Sequence, residues 1–330
     1  MSPTAPASHG PRYDSELASI LQGPAGARVP DLSGQSLGSV RQTMIAGNLS
    51  CQAAIGDRPI SWQDHVVAGT AERPDLLVTV LRPHQPVPGA AGIYNIHGGG
   101  MMLDERFSDL PRLVSMVEDL GCVAVTVEYR LAPEHPHPAP AEDCYAGMVW
   151  MAEHSTELGF DAARLLVIGG SAGGGLAAAM ALMARDRGGP ELAGQLLLCP
   201  MIDDRNDSPS TIRFADSGSW TRSSNALGWR SLLGEAPADL PVPAYAAPAR
   251  ASDLTGLPPA FIEVGELEIF LDEDVDYCRR LWQAGVPAEL HVWGGAYHGF
   301  DRIAPDSEVS RAALAARSSW IRRTLRTGAG

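Results

Sequence analysis

Two pentapeptides of the form Gly-x-Ser-x-Gly occur in this chain, Gly34-Gln35-Ser36-Leu37-Gly38 and Gly169-Gly170-Ser171-Ala172-Gly173. Small neighbours let the backbone turn sharply enough to present a serine hydroxyl without a Cβ clash. Only the second pentapeptide follows an apolar strand pattern, Arg164-Leu165-Leu166-Val167-Ile168, and opens a helical one. Ser171 therefore has the strand-turn-helix setting of an exposed nucleophile. Ser36 follows a polar, Pro-containing segment and reads as a cap or loop residue. Taken alone, residues 169–174 equally describe a Gly-rich turn that packs a helix on a sheet.

A second Gly-rich turn, His97-Gly98-Gly99-Gly100, directly follows the strand pattern Gly92–Ile96. Consecutive glycines leave the main chain unobstructed, so N–H groups can converge on one oxygen anion, as a tetrahedral acyl intermediate requires. Both turns sit at strand C-ends, where ligand crevices of α/β sheets lie. A serine hydroxyl also needs a base. Of the nine histidines, His291 falls within a strand pattern, and His135 and His137 are spaced by prolines in a loop with only a weak metal-site reading. His298, beyond the last strand across Gly294-Gly295-Ala296-Tyr297, can reach the same edge. A carboxylate must then hold the imidazole tautomer. The loop after the penultimate strand offers Glu266 and Glu268, whereas Asp272 to Asp274 read as the first turn of a helix, where acids complement the dipole. Serine, then acid, then histidine is the chain order of α/β hydrolases and not of the chymotrypsin or subtilisin folds.

The elements that must position these groups follow from periodicity. Strands are predicted at Ser61–Ala68, Leu76–Arg82, Gly92–Ile96, Val123–Glu128, Leu165–Ile168, Gln195–Cys199, Ala260–Val264 and Glu289–Trp293. Helices are predicted at Leu110–Leu120, Pro140–His154, Gly174–Arg185, Asp272–Ala284 and Glu308–Arg326. This alternation defines an α/β fold with an eight-stranded, mostly parallel sheet flanked by helices. Residues 1–50 and about 203–245 break the alternation and read as cap segments, leaving 51–330 as the catalytic domain that carries the second segment as an insertion.

The sequence resembles the hormone-sensitive lipase family of α/β-hydrolase carboxylesterases. Beyond the two Gly-rich turns, the likeness rests on Tyr129-Arg130-Leu131-Ala132-Pro133-Glu134-His135-Pro136, on Leu257-Pro258-Pro259-Ala260 and on His298-Gly299-Phe300, and it covers roughly residues 60 to 325. It implies Ser171 as nucleophile, His298 as base and the N–H groups of Gly98, Gly99 and Ala172 as the oxyanion hole. The family's acid position falls on Glu268, where relatives carry Asp; Glu266 stays as the alternative. Gly170 stands where many relatives have Asp. Met101 and Met102 replace a frequent aromatic and suggest a soft wall near the acyl site, and Phe214, Trp220 and Trp229 are further candidates for lining the pocket. Arg130, Glu134 and His97 are implied to be structural. Relatives often dimerise through the last strand and helix, so a homodimer is an expectation.

Composition removes other chemistries. All 25 basic residues are Arg, which excludes Schiff bases, pyridoxal phosphate attachment, the Walker lysine and Ser-x-x-Lys acyl enzymes. A net charge of −14 argues against nucleic-acid and anionic membrane partners. Five scattered cysteines form neither a disulfide framework nor a zinc site. The N-terminal residues lack a signal-peptide core, and no run nears the ~18 apolar residues of a membrane span. The expectation is a cytoplasmic serine carboxylesterase acting on small to medium acyl esters, without metal or cofactor. Acyl transfer or lactone chemistry on the same triad, and a non-catalytic small-molecule receptor, are the competing readings.

Overall fold

Alternate residues of the strand runs face opposite sides of one sheet. A computed structural model describes residues 12–23, 36–234 and 241–327. It contains the strands β1 (Ile60–Val67), β2 (Leu76–Pro83), β3 (Gly92–Ile96), β4 (Val123–Glu128), β5 (Leu165–Gly170), β6 (Gly194–Leu198), β7 (Ala260–Gly265) and β8 (Ala288–Trp293). They form an eight-stranded sheet in the order β1-β2-β4-β3-β5-β6-β7-β8. β1 and β2 pair antiparallel to their neighbours, and the remaining pairs are parallel.

The helices are α1 (Ser15–Gln22), α2 (Leu37–Gly47), α3 (Cys51–Ile55), α4 (Leu110–Leu120), α5 (Ala139–Glu153), α6 (Ser155–Leu158), α7 (Ala172–Arg187), α8 (Pro209–Arg213), α9 (Arg222–Leu233), α10 (Leu271–Gln283), α11 (Phe300–Ile303) and α12 (Glu308–Thr327). On β4, Val123, Val125 and Val127 join the core under α5, α7 and α10, while Ala124 joins the core under α3, α4 and α12. Central strands are buried on both faces, which explains near-continuous apolar runs such as Gly92–Ile96. Buried charges tie the layers together. Arg317 of α12 pairs with Glu263 of β7 and with Asp301 of α11.

The predicted strands and the five main helices are present, with ends shifted by a few residues. The informative shift is at α7, which begins at Ala172 instead of Gly174, so that Gly173, Gly174 and Gly175 are helical. Packing overrides their poor helix propensity. A Cβ on Gly173 would lie 2.0 Å from the Ile96 carbonyl oxygen, and one on Gly175 would lie 2.1 Å from that of Met201. α7 can approach the sheet this closely only because those positions carry no side chain. Gly34 and Gln35 of the first pentapeptide lie outside the described residues; Ser36 is the N-cap residue of α2.

Where they are described, residues of the two stretches outside the alternation contact turns at the sheet's C-terminal edge. From α2, Arg41 donates through Nε to Met102 O (2.6 Å) and through Nη2 to Ala132 O (2.7 Å), and it pairs with Glu134. This side chain clamps the turn after β3 to the turn after β4. α1 buries Leu17 against Ala296, Tyr297 and Phe300, around the loop that carries His298. From the 203–245 segment, the Ser219 hydroxyl donates to the His298 carbonyl oxygen.

Candidate active site

Ser171 sits between β5 and α7 with φ 56° and ψ −122°, a strained backbone for a residue with a Cβ. The surrounding packing enforces it. Ser171 N–H donates to Leu198 O (2.8 Å), and its carbonyl accepts from Met201 N–H (2.9 Å), anchoring the turn to the end of β6. A Cβ on Gly169 would strike the Gly173 carbonyl oxygen at 2.1 Å, so the glycines of this motif are required by the sharpness of the turn. The hydroxyl lies at the N-terminus of α7, where free backbone N–H groups and the helix dipole favour negative charge.

The loop after β8 brings His298 to that hydroxyl. Its Nε2 lies 3.0 Å from Ser171 Oγ, and its Nδ1 lies 2.5 Å from Glu268 Oε2. The second carboxylate oxygen of Glu268 accepts from Gly265 N–H at 2.7 Å. With only carboxylate acceptors on that side, Nδ1 carries the proton and Nε2 is left to accept from the serine. The Glu268 side chain is 1% exposed and that of His298 is 10% exposed, and the Phe270 ring meets the imidazole edge-on at 5.1 Å. Glu266 is instead exposed and accepts from Gly295 N–H at 2.9 Å. Of the two candidate acids, only Glu268 reaches the imidazole.

The His97–Gly100 turn stands opposite the serine. A Cβ on Gly98 would lie 2.9 Å from Gly170 O and 3.4 Å from Ser171 Cβ, and Gly99 has φ 102°. Glycine is therefore what allows this main chain to reach the nucleophile and to turn back. Tyr129 O–H donates to His97 O (2.9 Å) while its ring stacks on the His97 imidazole at 4.2 Å. Arg130 holds buried Asp143 through paired contacts of 2.8 Å, and Glu134 is held by Arg41. These residues brace the turn without facing the serine.

A cavity of about 380 Å³ opens onto Ser171 and His298, with Met44, Leu103, Leu198, Trp220 and Ile303 among its apolar lining and Asp109, Arg112, Asp301 and Arg302 among its polar lining. Trp220 lines it, with its ring packed against Gly100. Met101, Met102 and Phe214 do not. Met101 has φ 61°, and the tight turn in which Leu103 N–H donates to Gly99 O (2.9 Å) sends both methionines into the core. Their side chains, like those of Phe214 and Trp229, are buried there. Sequence reasoning does not reach Met44, Arg112, Asp109 or the Asp301-Arg302 pair. Their one signal is position: each lies in a segment leaving a strand's C-end or on a helix laid across it.

Among the described residues, one grouping has metal-ligand spacing: Cys199, Glu268 and His298, whose ligand atoms lie within 4.8 Å of one another. Burial, with Glu268 adding like charge, keeps the Cys199 thiol well above its ordinary pKa. The imidazole and carboxylate already bond to each other. This donor set is arranged for proton transfer between Ser171 and His298. His135 and His137 belong to no such grouping.

The alpha/beta hydrolase fold family matches residues 93–302. Esterase LipI of Mycobacterium tuberculosis is 38% identical over 204 residues, which cover 62% of this chain and 63% of LipI, just under two thirds of its length. Carboxylesterase NlhH of the same species is 37% identical over 227 residues, 68% of this chain and 69% of NlhH. Among solved structures, a bacterial heroin esterase superposes with a TM-score of 0.87 at 37% identity, covering 95% of this chain and 98% of that one. Esterase LipW from Mycobacterium marinum superposes with a TM-score of 0.85 at 32% identity, covering 96% and 98%. The chain belongs to the alpha/beta hydrolase fold family. Within it, the chain is akin to the hormone-sensitive-lipase-like carboxylesterases, enzymes that hydrolyse carboxylic esters.

Proposed function

We propose that this serine carboxylesterase cleaves small to medium acyl esters through Ser171 as nucleophile, His298 as general base and Glu268 as the acid that orients it. The observation that carries the reading is the continuous path Ser171 Oγ, His298 Nε2, His298 Nδ1, Glu268 Oε2, with steps of 3.0 Å and 2.5 Å on either side of the ring. His298 Nε2 takes the serine proton as Oγ bonds to the ester carbonyl carbon. The carbonyl oxygen becomes an oxyanion held by the N–H groups of Gly98, Gly99 and Ala172. Collapse breaks the ester C–O bond, and His298 delivers the proton to the departing alcohol. Water, deprotonated by His298, then adds to the acyl carbon, and Ser171 leaves with its proton restored while a carboxylic acid is released.

The volume of the cavity, about 380 Å³, supports small to medium acyl groups. We treat residues 1–50 and 203–245 as the cap, since they supply Met44 and Trp220 to its wall. No helix among the described residues is long and apolar enough to cross a membrane. Free thiols at all five cysteines support a reducing, cytoplasmic setting. Turnover of short-chain p-nitrophenyl esters by Ser171→Ala tests the proposal. Loss of about 10⁴-fold or more in kcat is expected, and a variant as fast as the wild type would refute it.

A further inference from the structure

The cavity wall beyond Gly170 carries three carboxylates, Asp104, Asp109 and Asp301, against two guanidiniums, Arg112 and Arg302, but their hydrogen-bonding capacity is unequal. Asp104 accepts from Asn48 Nδ2 at 3.0 Å and from Arg302 Nη1 at 3.0 Å. Asp109 accepts from Arg112 Nη2 and, at 3.4 Å, from Asn95 Nδ2. Asp301 is paired with Arg317 at 2.7 Å. Burial pushes the Asp109 carboxyl up, but Arg112 and Arg302 outweigh it and hold the group below the usual carboxylate range. Asp109 and Asp301 are therefore charged, and all three carboxylates are already engaged. A guanidinium has five N–H donors, whereas Arg112 and Arg302 each spend one among the described residues. Their remaining donors border the cavity, Arg112 from a side chain 14% exposed and Arg302 from the rim at 45%.

Gly170 leaves the approach open. A Cβ there would lie 3.8 Å from Arg112 Nη1 and 3.9 Å from Nη2, with no atom closer. This space adjoins the nucleophile turn, and unlike its neighbours Gly169 and Gly173 this glycine is not demanded by backbone crowding. A planar fork of unspent donors facing an empty volume matches a carboxylate, which guanidinium binds with two parallel bonds.

We propose that Arg112, assisted by Arg302, forms a carboxylate subsite, and that the enzyme prefers esters carrying a free carboxylate a few atoms from the scissile carbonyl, such as half-esters of short dicarboxylic acids. The inference rests on Ser171 being the nucleophile of an esterase. Part of the bound ester's charge is neutralised inside a partly desolvated cavity, where charge-assisted bonds count for more than in water. Preference should therefore appear in kcat/KM and weaken with salt.

The test compares kcat/KM for monoethyl succinate, its neutral near-isostere ethyl 4-oxopentanoate and the cationic ethyl 4-aminobutanoate, by pH-stat titration on the intact enzyme. The wild type is expected to favour the half-ester over the neutral ester by about tenfold or more. Arg112→Met should bring that ratio near one. Gly170→Asp, which sets a carboxylate against Arg112, should do the same or invert it. Each ratio is internal to one protein sample, so partial misfolding of a variant cancels. A wild-type ratio of one or below, a preference for the cationic ester, or a ratio that neither variant moves would overturn the subsite. Failure of the esterase reading would look different: no ester of the three would be hydrolysed in a manner that Ser171→Ala abolishes.

Discussion

Replacing Glu268 by Gln changes one carboxylate oxygen to an amide nitrogen with almost no change in shape, and the geometry makes the consequence a forced choice. Glu268 uses both oxygens as acceptors, one from His298 Nδ1 at 2.5 Å and one from Gly265 N–H at 2.7 Å, at a side chain 1% exposed. If the Gln oxygen keeps Gly265, the amide NH₂ faces Nδ1, which must then accept, and the ring proton moves to Nε2. In that tautomer Nε2 cannot take the Ser171 proton. If the amide flips, two N–H donors face each other at Gly265, a buried clash costing about 1–3 kcal/mol. The first arrangement keeps every bond satisfied and is expected to dominate. In serine proteases the matching acid-to-amide change strands the imidazole in the wrong tautomer and lowers kcat about 10⁴-fold. A loss of about 10³–10⁴-fold is expected here, with KM nearly unchanged. Glu266→Gln, at an exposed residue bonded to Gly295 N–H, should stay within about threefold. Both variants can be assayed on p-nitrophenyl acetate beside a fluorophosphonate label that counts reactive serines. A Glu268→Gln enzyme within tenfold of the wild type, or Glu266→Gln as the more damaged of the two, would refute the assignment of the acid.

Two further outcomes follow from the same packing. Gly98→Ala places a Cβ 2.9 Å from Gly170 O and 3.4 Å from Ser171 Cβ, so the oxyanion turn must retreat from the serine; kcat is expected to fall about 10²–10³-fold, and stopped-time assays showing less than threefold loss would contradict it. Asp274 on α10 is fully buried, and neither of its carboxyl oxygens has a hydrogen-bond partner among the described residues. Burial first, then the charges of Glu273 and Glu268, raise its pKa well above the carboxylate range. The folded protein keeps this proton while the unfolded chain releases it above about pH 4, so stability is full below that pH and declines by up to about 1.4 kcal/mol per unit as pH rises toward the folded value. Asp274→Asn removes the decline, and its Tm relative to the wild type should climb from pH 5 to pH 8; a constant difference would exclude the proposed titration.

The central strands were legible because they are bounded by Gly, Pro or Asp and are apolar on both faces, a pattern that the burial of Gly92–Ile96 and Ala260–Gly265 on both sides explains. Ser171 and His298 were legible because the chemistry sits in short turns fixed by local sequence. The choice between Glu266 and Glu268 was not, since the two differ by which way a loop of alternating residues faces, and that is decided by the bond from Gly265 N–H to Glu268 and from Gly295 N–H to Glu266. α1 and α2 carry little local signal because their stability comes from tertiary contact: α2 buries only Val40 and is held through Arg41.

The pocket wall departs from expectation for a related reason. Met101 and Met102 directly follow the oxyanion glycines, yet a turn with φ 61° at Met101 rotates them into the core, while Arg112, a dozen residues from that turn, reaches the cavity from the first turn of α4. Nearness in sequence to a catalytic turn says little about nearness to substrate, because such turns reverse direction within a few residues. The reacting groups depend on backbone hydrogen bonds within the sheet's C-terminal edge, which tolerate little change. The wall instead draws on α2, α4, α11 and the segment containing Trp220, which meet only in the folded chain. Substrate preference can therefore change through residues such as Gly170 and Arg112 while the Ser171, His298 and Glu268 geometry stays fixed, and this is why the carboxylate preference is separable by mutation from ester hydrolysis itself.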